Sequence, residues 1–180
     1  YNSLREIMPE PTISRFFAGG LIGYMSYEAA NYFEKKLNLQ EHPDFEMFKF
    51  GLYKDGLIYD TVTGVLSYFY YDNDRSELIK DYIEKPDVIL GNNSTKVTAL
   101  GHSMTEQRHA EVVNQAKEEI KAGNTFQCEV GFKTKFKVEG EALPIYAELR
   151  QVNPSPHMYY LKFGGQKIIG ASPELLLRLR

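Results

Sequence analysis

LPIYAELRQVNPSPHMYYLKF, residues 143–163, changes period halfway along. Leu143–Val152 reads as a short helix, while MYYLKF (158–163) reads as a strand. Between them stands NPSP, with two prolines two positions apart. Each proline fixes its own φ, and each pushes the residue before it, Asn153 or Ser155, toward extended geometry. A segment held in this way loses little entropy when something binds to it. Proline has no N–H to donate, so the carbonyls here and the Asn153 and Ser155 side chains stay free as acceptors. Acceptors of this kind suit an ammonium group, and Met158 and Tyr159 can pack on an aromatic ring. Two readings follow from the residues alone: a preset pocket wall for an aromatic amino acid or amine, or a rigid turn that delivers the chain into a strand.

Downstream, QKIIGAS (166–172) and PELLLRLR (173–180) read as two more strands, and Gly164-Gly165 suits a hairpin turn. Upstream, HSMTEQRHAEVVNQAKEEIKAGN (102–124) is the plainest helix. Ser103 and Glu106 form an S-x-x-E capping box, Gly123 supplies the stop, and Ala110, Val113, Ala116 and Ile120 make an apolar stripe. In TFQCEVGFKTKFKV (125–138), Phe126, Cys128, Val130, Phe132, Phe136 and Val138 alternate with polar residues, which predicts a strand with one packing face. Residues 48–71 read as a three-stranded antiparallel meander with turns at Lys54-Asp55-Gly56 and Thr63-Gly64. Before it, an apolar stretch broken by Gly19, Gly20 and Gly23 runs into a helix-compatible segment in which Tyr24, Tyr27 and Ala30 recur every three residues. Residues 1–15 read as a lead-in. Residues 72–102 give a short helix near Arg75–Glu84 and then a connection through GNNST. The fold class expected is α+β, with antiparallel sheets and helices packed outside.

Composition narrows the function classes. A net charge of −3 over 180 residues gives no reason to expect nucleic acid or an acidic membrane as partner, and no apolar run is long enough to span a bilayer. One cysteine excludes an intrachain disulfide and any multi-cysteine zinc site. Such usage fits a reducing cytoplasm, the expected location. His42, His102, His109 and His157 share no ligand spacing and read as surface or capping histidines. Cys128, on the apolar side of its expected strand, reads as a buried inert thiol. The glycine pairs lack phosphate-loop spacing, and Lys133, Lys135 and Lys137 read as solvated charges. Gln127 and Glu129 would share the polar face of a strand that follows a well-made helix, a rigid place for a functional group or simply an exposed face.

Several stretches, in order, resemble the chorismate-utilising enzymes, and within them the anthranilate synthase component I branch. FFAGGLIGYMSYEAANYFE (16–34) is similar to that family's G-G-x-x-G-Y-x-x-Y-[DE] segment, and AGNTFQCEVGFKTKF (122–136) to its G-x-x-F-Q-V-V-L-S segment. LPIYAELRQVNPSPHMYYLKF resembles L-x-x-Y-x-x-L-R-x-x-N-P-S-P-Y-M-F-x-L, and GASPELLLRL (170–179) resembles G-[AS]-S-P-E-x-L. The resemblance implies the two-sheet fold of that family. It also implies conversion of chorismate and ammonia to anthranilate and pyruvate with Mg2+, ammonia coming from a glutamine amidotransferase subunit. Tryptophan would act as feedback inhibitor, its site walled by Asn153, Pro154, Ser155, Pro156, His157 and Met158, with Gly170 adjoining from the next strand. His157 stands where the family usually has tyrosine.

Gln127 falls where water-using relatives place a lysine base. Ammonia needs less activation than water, so a neutral glutamine in the active-site wall favours the amine-adding branch. Cys128-Glu129 departs from the family's Val-Val. The family's early Leu-Leu-Glu-Ser element is missing, as is the later half with the Gly-Thr element, the chorismate-binding cations and the Mg2+ glutamates. Residues 1–180 are therefore expected to be a portion of a longer protein and inactive alone. Two alternatives stand: aminodeoxychorismate synthase component I, and a non-catalytic module that binds aromatic amino acids.

Overall fold

The computed structural model describes residue 6, residues 19–85 and residues 95–178. The chain divides into two compact units, Tyr1–Asp87 and Val88–Arg180. The lead-in expected over residues 1–15 lies outside the described residues except for position 6.

In the first unit, β1 (Gly20–Met25) pairs antiparallel with β2 (Phe48–Tyr53), and β3 (Asp55–Tyr59) with β4 (Leu66–Tyr70). The expected meander is therefore half right. The Thr63-Gly64 turn exists: Gly64 has φ 71°, its N–H donates to the Asp60 carbonyl at 2.8 Å, and Asp60 Oδ1 accepts from Val62 N at 2.8 Å. The Lys54-Asp55-Gly56 turn does not reverse the chain, because β2 takes β1 as its partner. Gly19 shows why that strand carries glycines. Its φ is 82°, and a Cβ there would sit 2.5 Å from the Tyr53 carbonyl oxygen. The recurrence of Tyr27 and Ala30 at three residues proves to be the period of a 3₁₀ helix, Tyr27–Tyr32, with Ala29 buried inside it.

Helix α1 (Ser76–Glu84) is fastened to β3 through Arg75. Its Nε donates to Asp55 Oδ2 at 2.6 Å and its terminal nitrogen to Oδ1 at 2.7 Å, a two-pronged pair that Tyr68 joins with its hydroxyl.

The second unit holds β5 (Lys96–His102), α2 (Glu106–Lys121), β6 (Thr134–Glu139), α3 (Leu143–Val152), β7 (His157–Phe163) and β8 (Gln166–Ser172). β5 pairs with β6 and β7 with β8, both antiparallel. α3 and β8 match the sequence reading to the residue, β7 begins one residue earlier at His157, and Gly164 with φ 60° makes the turn. Tyr146 of α3 meets Tyr160 of β7 edge to face at 6.1 Å, so α3 lies on the face that carries Tyr160. Glu141, just before α3, links the two strand pairs: its carbonyl accepts from Thr95 Oγ1 at 2.7 Å, and its carboxylate lies 3.6 Å from Lys167 Nζ of β8.

Five expectations are corrected here. α2 is capped by Thr105, whose side chain accepts from Arg108 N, because Ser103 is engaged elsewhere: its Oγ accepts from Lys133 N at 2.8 Å. The strand read over residues 125–138 is formed only from Thr134, since the described strand ladder with β5 stops there and Lys133 is held by Ser103 alone. Cys128 is accordingly exposed, not buried. PELLLRLR forms no strand over its described residues, and Leu176 is fully exposed. β5 was read as a connection; its Thr-Ala-Leu-Gly core carries too few large apolar residues to announce a strand, and Ala99–Gly101 contains a bulge.

Candidate functional site

The junction α3–NPSP–β7 is the candidate site, and its backbone follows from the prolines. α3 ends because Asn153 leaves helical geometry, at φ −143° and ψ 66°, while its N–H still reaches the Leu149 carbonyl at 2.9 Å. Pro154 and Pro156 are both exposed and neither donates an N–H, so the chain passes from helix to strand without a ladder partner across residues 153–156. Ser155 is half-buried between them.

At His157 the ladder begins. His157 opposes Ser172, Met158 opposes Ala171 and Tyr159 opposes Gly170. Alternation along a strand then separates the predicted residues. Met158 shares its face with Tyr160 and thus with α3, whereas His157 and Tyr159 share the other face with Gly170. The structure brings the octapeptide and Gly170 to one end of one hairpin, and it places Met158 and His157 on opposite sides of it.

Gly170 has a role the sequence did not reveal. A Cβ at that position would lie 2.2 Å from Cζ of Tyr159, so the phenol end of that ring occupies the space a side chain would take. The pair fixes the ring of Tyr159 beside His157 with a minimum of side-chain freedom. The signal was available: a glycine inside an otherwise β-branched strand marks a place where something approaches the backbone closely.

Gln127 lies in the same unit but outside any helix or strand, and its side chain is exposed. Thr125 Oγ1 donates to the Gln127 carbonyl at 2.9 Å. Among the described residues no group of three or more His, Cys, Asp or Glu side chains could hold a metal ion. Also among the described residues, no helix is long and apolar enough to cross a membrane.

Charge is organised in the first unit. The Lys49 ammonium, 2.8 Å from Glu46 Oε1, and the Glu46 backbone hold that carboxyl down to about 2. Burial, and then the hydrogen bond to Glu46, raises the Tyr24 phenol. Arg75 holds the Asp55 carboxyl below the usual carboxylate range, and Asp55 in turn raises Arg75. These pairs tie β1 to the residues before β2, and β3 to the start of α1.

Paired antiparallel strands, a helix laid on one hairpin and a proline-braced entry to that hairpin define an α+β scaffold. Its likeness to a solved structure is close: anthranilate synthase component I from Streptococcus pneumoniae TIGR4 superposes with a TM-score of 0.74, covering 95% of this chain and 42% of that one at 22% identity. Residues 2–180 match the chorismate binding enzyme family, and the chain belongs to it. It is 44% identical over 184 residues to anthranilate synthase component 1 of Leptospira biflexa, covering 100% of this chain and 39% of that protein. It is 38% identical over 184 residues to the protein of the same name from Methanothermobacter thermautotrophicus, covering 99% of this chain and 38% of that one. The chain thus spans about two fifths of the length of these relatives.

Proposed function

We propose that these residues belong to component I of an anthranilate synthase, a lyase that converts chorismate and ammonia to anthranilate and pyruvate, feedback-inhibited by tryptophan. The observation that carries this reading is the match of the whole chain, at 44% identity, to a relative bearing that name. Ammonia would come from a glutamine amidotransferase subunit, and Mg2+ would be held by residues other than those described. The protein would work in the cytoplasm. Residues 1–180 would form part of one chorismate-binding domain and be inactive alone.

In this reading Gln127 contributes to the wall of the chorismate site. A glutamine amide can orient ammonia by hydrogen bonding and has no charge with which to deprotonate water, which suits amine addition. Asn153, Pro154, Ser155, Pro156, His157, Met158 and Gly170 wall the tryptophan site. The free carbonyls of the NPSP stretch and the Ser155 hydroxyl accept from the ammonium group, while Met158, with Tyr160 on the same face, takes the indole. Tryptophan bound away from the chemistry acts only by binding one conformational state more tightly than another.

The test is product identification. The complete polypeptide containing these residues, given chorismate, ammonium and Mg2+, should release anthranilate and pyruvate and slow when tryptophan is added. An aminodeoxychorismate product, or turnover indifferent to tryptophan, would overturn the reading. The chain contains no tryptophan, so added tryptophan can be followed by its own fluorescence without background from residues 1–180.

A further inference from the structure

Residues 125–133 form the least supported stretch of the second unit that nonetheless has both ends fixed. At its start α2 closes with Gly123 at φ 78°, Gly123 N donating to the Ile120 carbonyl at 3.1 Å and Asn124 N to the Glu119 carbonyl at 3.0 Å. Asn124 Nδ2 adds a bond to Glu119 Oε2 at 2.6 Å. At its far end Ser103 and Lys133 bond reciprocally, Ser103 N to the Lys133 carbonyl at 2.8 Å and Lys133 N to Ser103 Oγ at 2.8 Å. The ring of Phe132 meets His102, the last residue of β5, at 5.4 Å, and His109, in the first turn of α2, at 5.5 Å, each at an interplanar angle of 81°. His102 Nδ1 is itself 2.9 Å from Thr134 Oγ1, which fixes that imidazole.

Distances along the chain make these pins matter. Nine residues of extended chain reach about 30 Å, and the 16 residues of α2 rise about 24 Å. The segment therefore has little slack as it returns from the end of α2 toward its start. Where Gln127 sits is set by how firmly each end is held, since no ladder bonds steady the middle.

We propose that Phe132, gripped by His102 and His109, is the positioning residue for the Gln127 segment. The role of Gln127 itself rests on the proposed function; the positioning of the segment does not. Phe132 is half-exposed, and what holds it is its perpendicular ring contact with two imidazoles, which favours an aromatic side chain over a merely apolar one.

The lone cysteine, Cys128, is exposed beside Gln127 and gives a reporter at the right place. In the complete protein, with any cysteine outside residues 1–180 replaced, a nitroxide attached there should show an immobilised spectral component. Phe132→Ala should lose that component, Phe132→Tyr should keep it, and Phe132→Leu, which restores bulk without a ring, should not. His109→Ala should loosen the label as well, and unchanged helical ellipticity in each variant shows that the loss is local and not a failure to fold. An unchanged spectrum in Phe132→Ala, or rescue by leucine equal to rescue by tyrosine, would overturn the proposal. In the complete protein, Phe132→Ala should lower turnover of chorismate while leaving tryptophan binding intact. Unchanged turnover in Gln127→Ala would overturn the reading of Gln127 instead.

Discussion

β7–β8 and β5–β6 are two antiparallel pairs in one unit, and their burial differs throughout. Every residue of β8 is partly buried, and α3 lies over one face of the hairpin. Every residue of β5 and β6 is exposed, including Val97, Phe136 and Val138 on the apolar face. β6 alternates more plainly than β8 and is nonetheless exposed, so pattern alone does not create cover. β7–β8 acquires its cover locally, from the helix that immediately precedes it and from the proline brace that sets the angle between them. β5–β6 has an amphipathic sequence and no cover among the described residues. Across all of those residues Ala29 is the one buried apolar side chain, at 2% exposure.

The comparison can be broken most decisively at Tyr160. Tyr160→Ala removes the ring that meets Tyr146, and about 2 kcal/mol of local stability should go with it, below the value for a fully buried aromatic. Val138→Ala in β6 should cost under about 0.5 kcal/mol. Native-state hydrogen exchange of the two pairs reads both numbers, and equal losses would erase the distinction. Gly170→Val is the next test. Its side chain collides with the Tyr159 ring, so it should cost about 1–3 kcal/mol, and adding Tyr159→Ala should recover most of that in a double-mutant cycle.

At the start of α2 the two candidate caps separate. Thr105→Ala should destabilise the helix by about 1 kcal/mol, visible as lost helical ellipticity. Ser103→Ala should leave the helix intact and release Lys133, detected as faster exchange of the Lys133 amide. The smallest effect lies outside both strand pairs and serves as a control. Glu46, held down to about 2 by Lys49, contributes a stabilising contact that is complete above its ordinary value near 4.5 and is lost as the pH falls from there toward 2. Acid should therefore loosen the Glu46–Lys49–Tyr24 link through that window, and Glu46→Gln should abolish the dependence, as carbon-detected carboxyl titration would show.

Much of the second unit was legible because its signals are local. Proline at 154 and 156, the Gly164 turn and the period change at residue 153 fix α3, β7 and β8 without reference to anything distant. Thr105 was misread because S-x-x-E is satisfied by residues 103–106 in sequence, while Ser103 is drawn to Lys133, thirty residues away. The 125–138 strand was overextended for the same reason: alternation states which face could pack, and pairing depends on a neighbour that the pattern does not name. β2 escaped the meander because β1, read as a glycine-broken stretch, competed for its edge. At the candidate site the residue types were readable, whereas the placement of Met158 and His157 on opposite faces followed only from register. The close seat of Tyr159 on Gly170 needed coordinates.

Methyl NMR of the five methionines during a titration with tryptophan tests the central claim, that the NPSP junction and its hairpin hold the inhibitor. In the protein containing residues 1–180, the Met158 methyl should move upfield under the indole ring current while the Met25 and Met104 methyls stay in place, and Met158→Leu should remove the moving peak. A Met158 methyl that stays still while tryptophan binds or inhibits would place the inhibitor elsewhere and contradict the account.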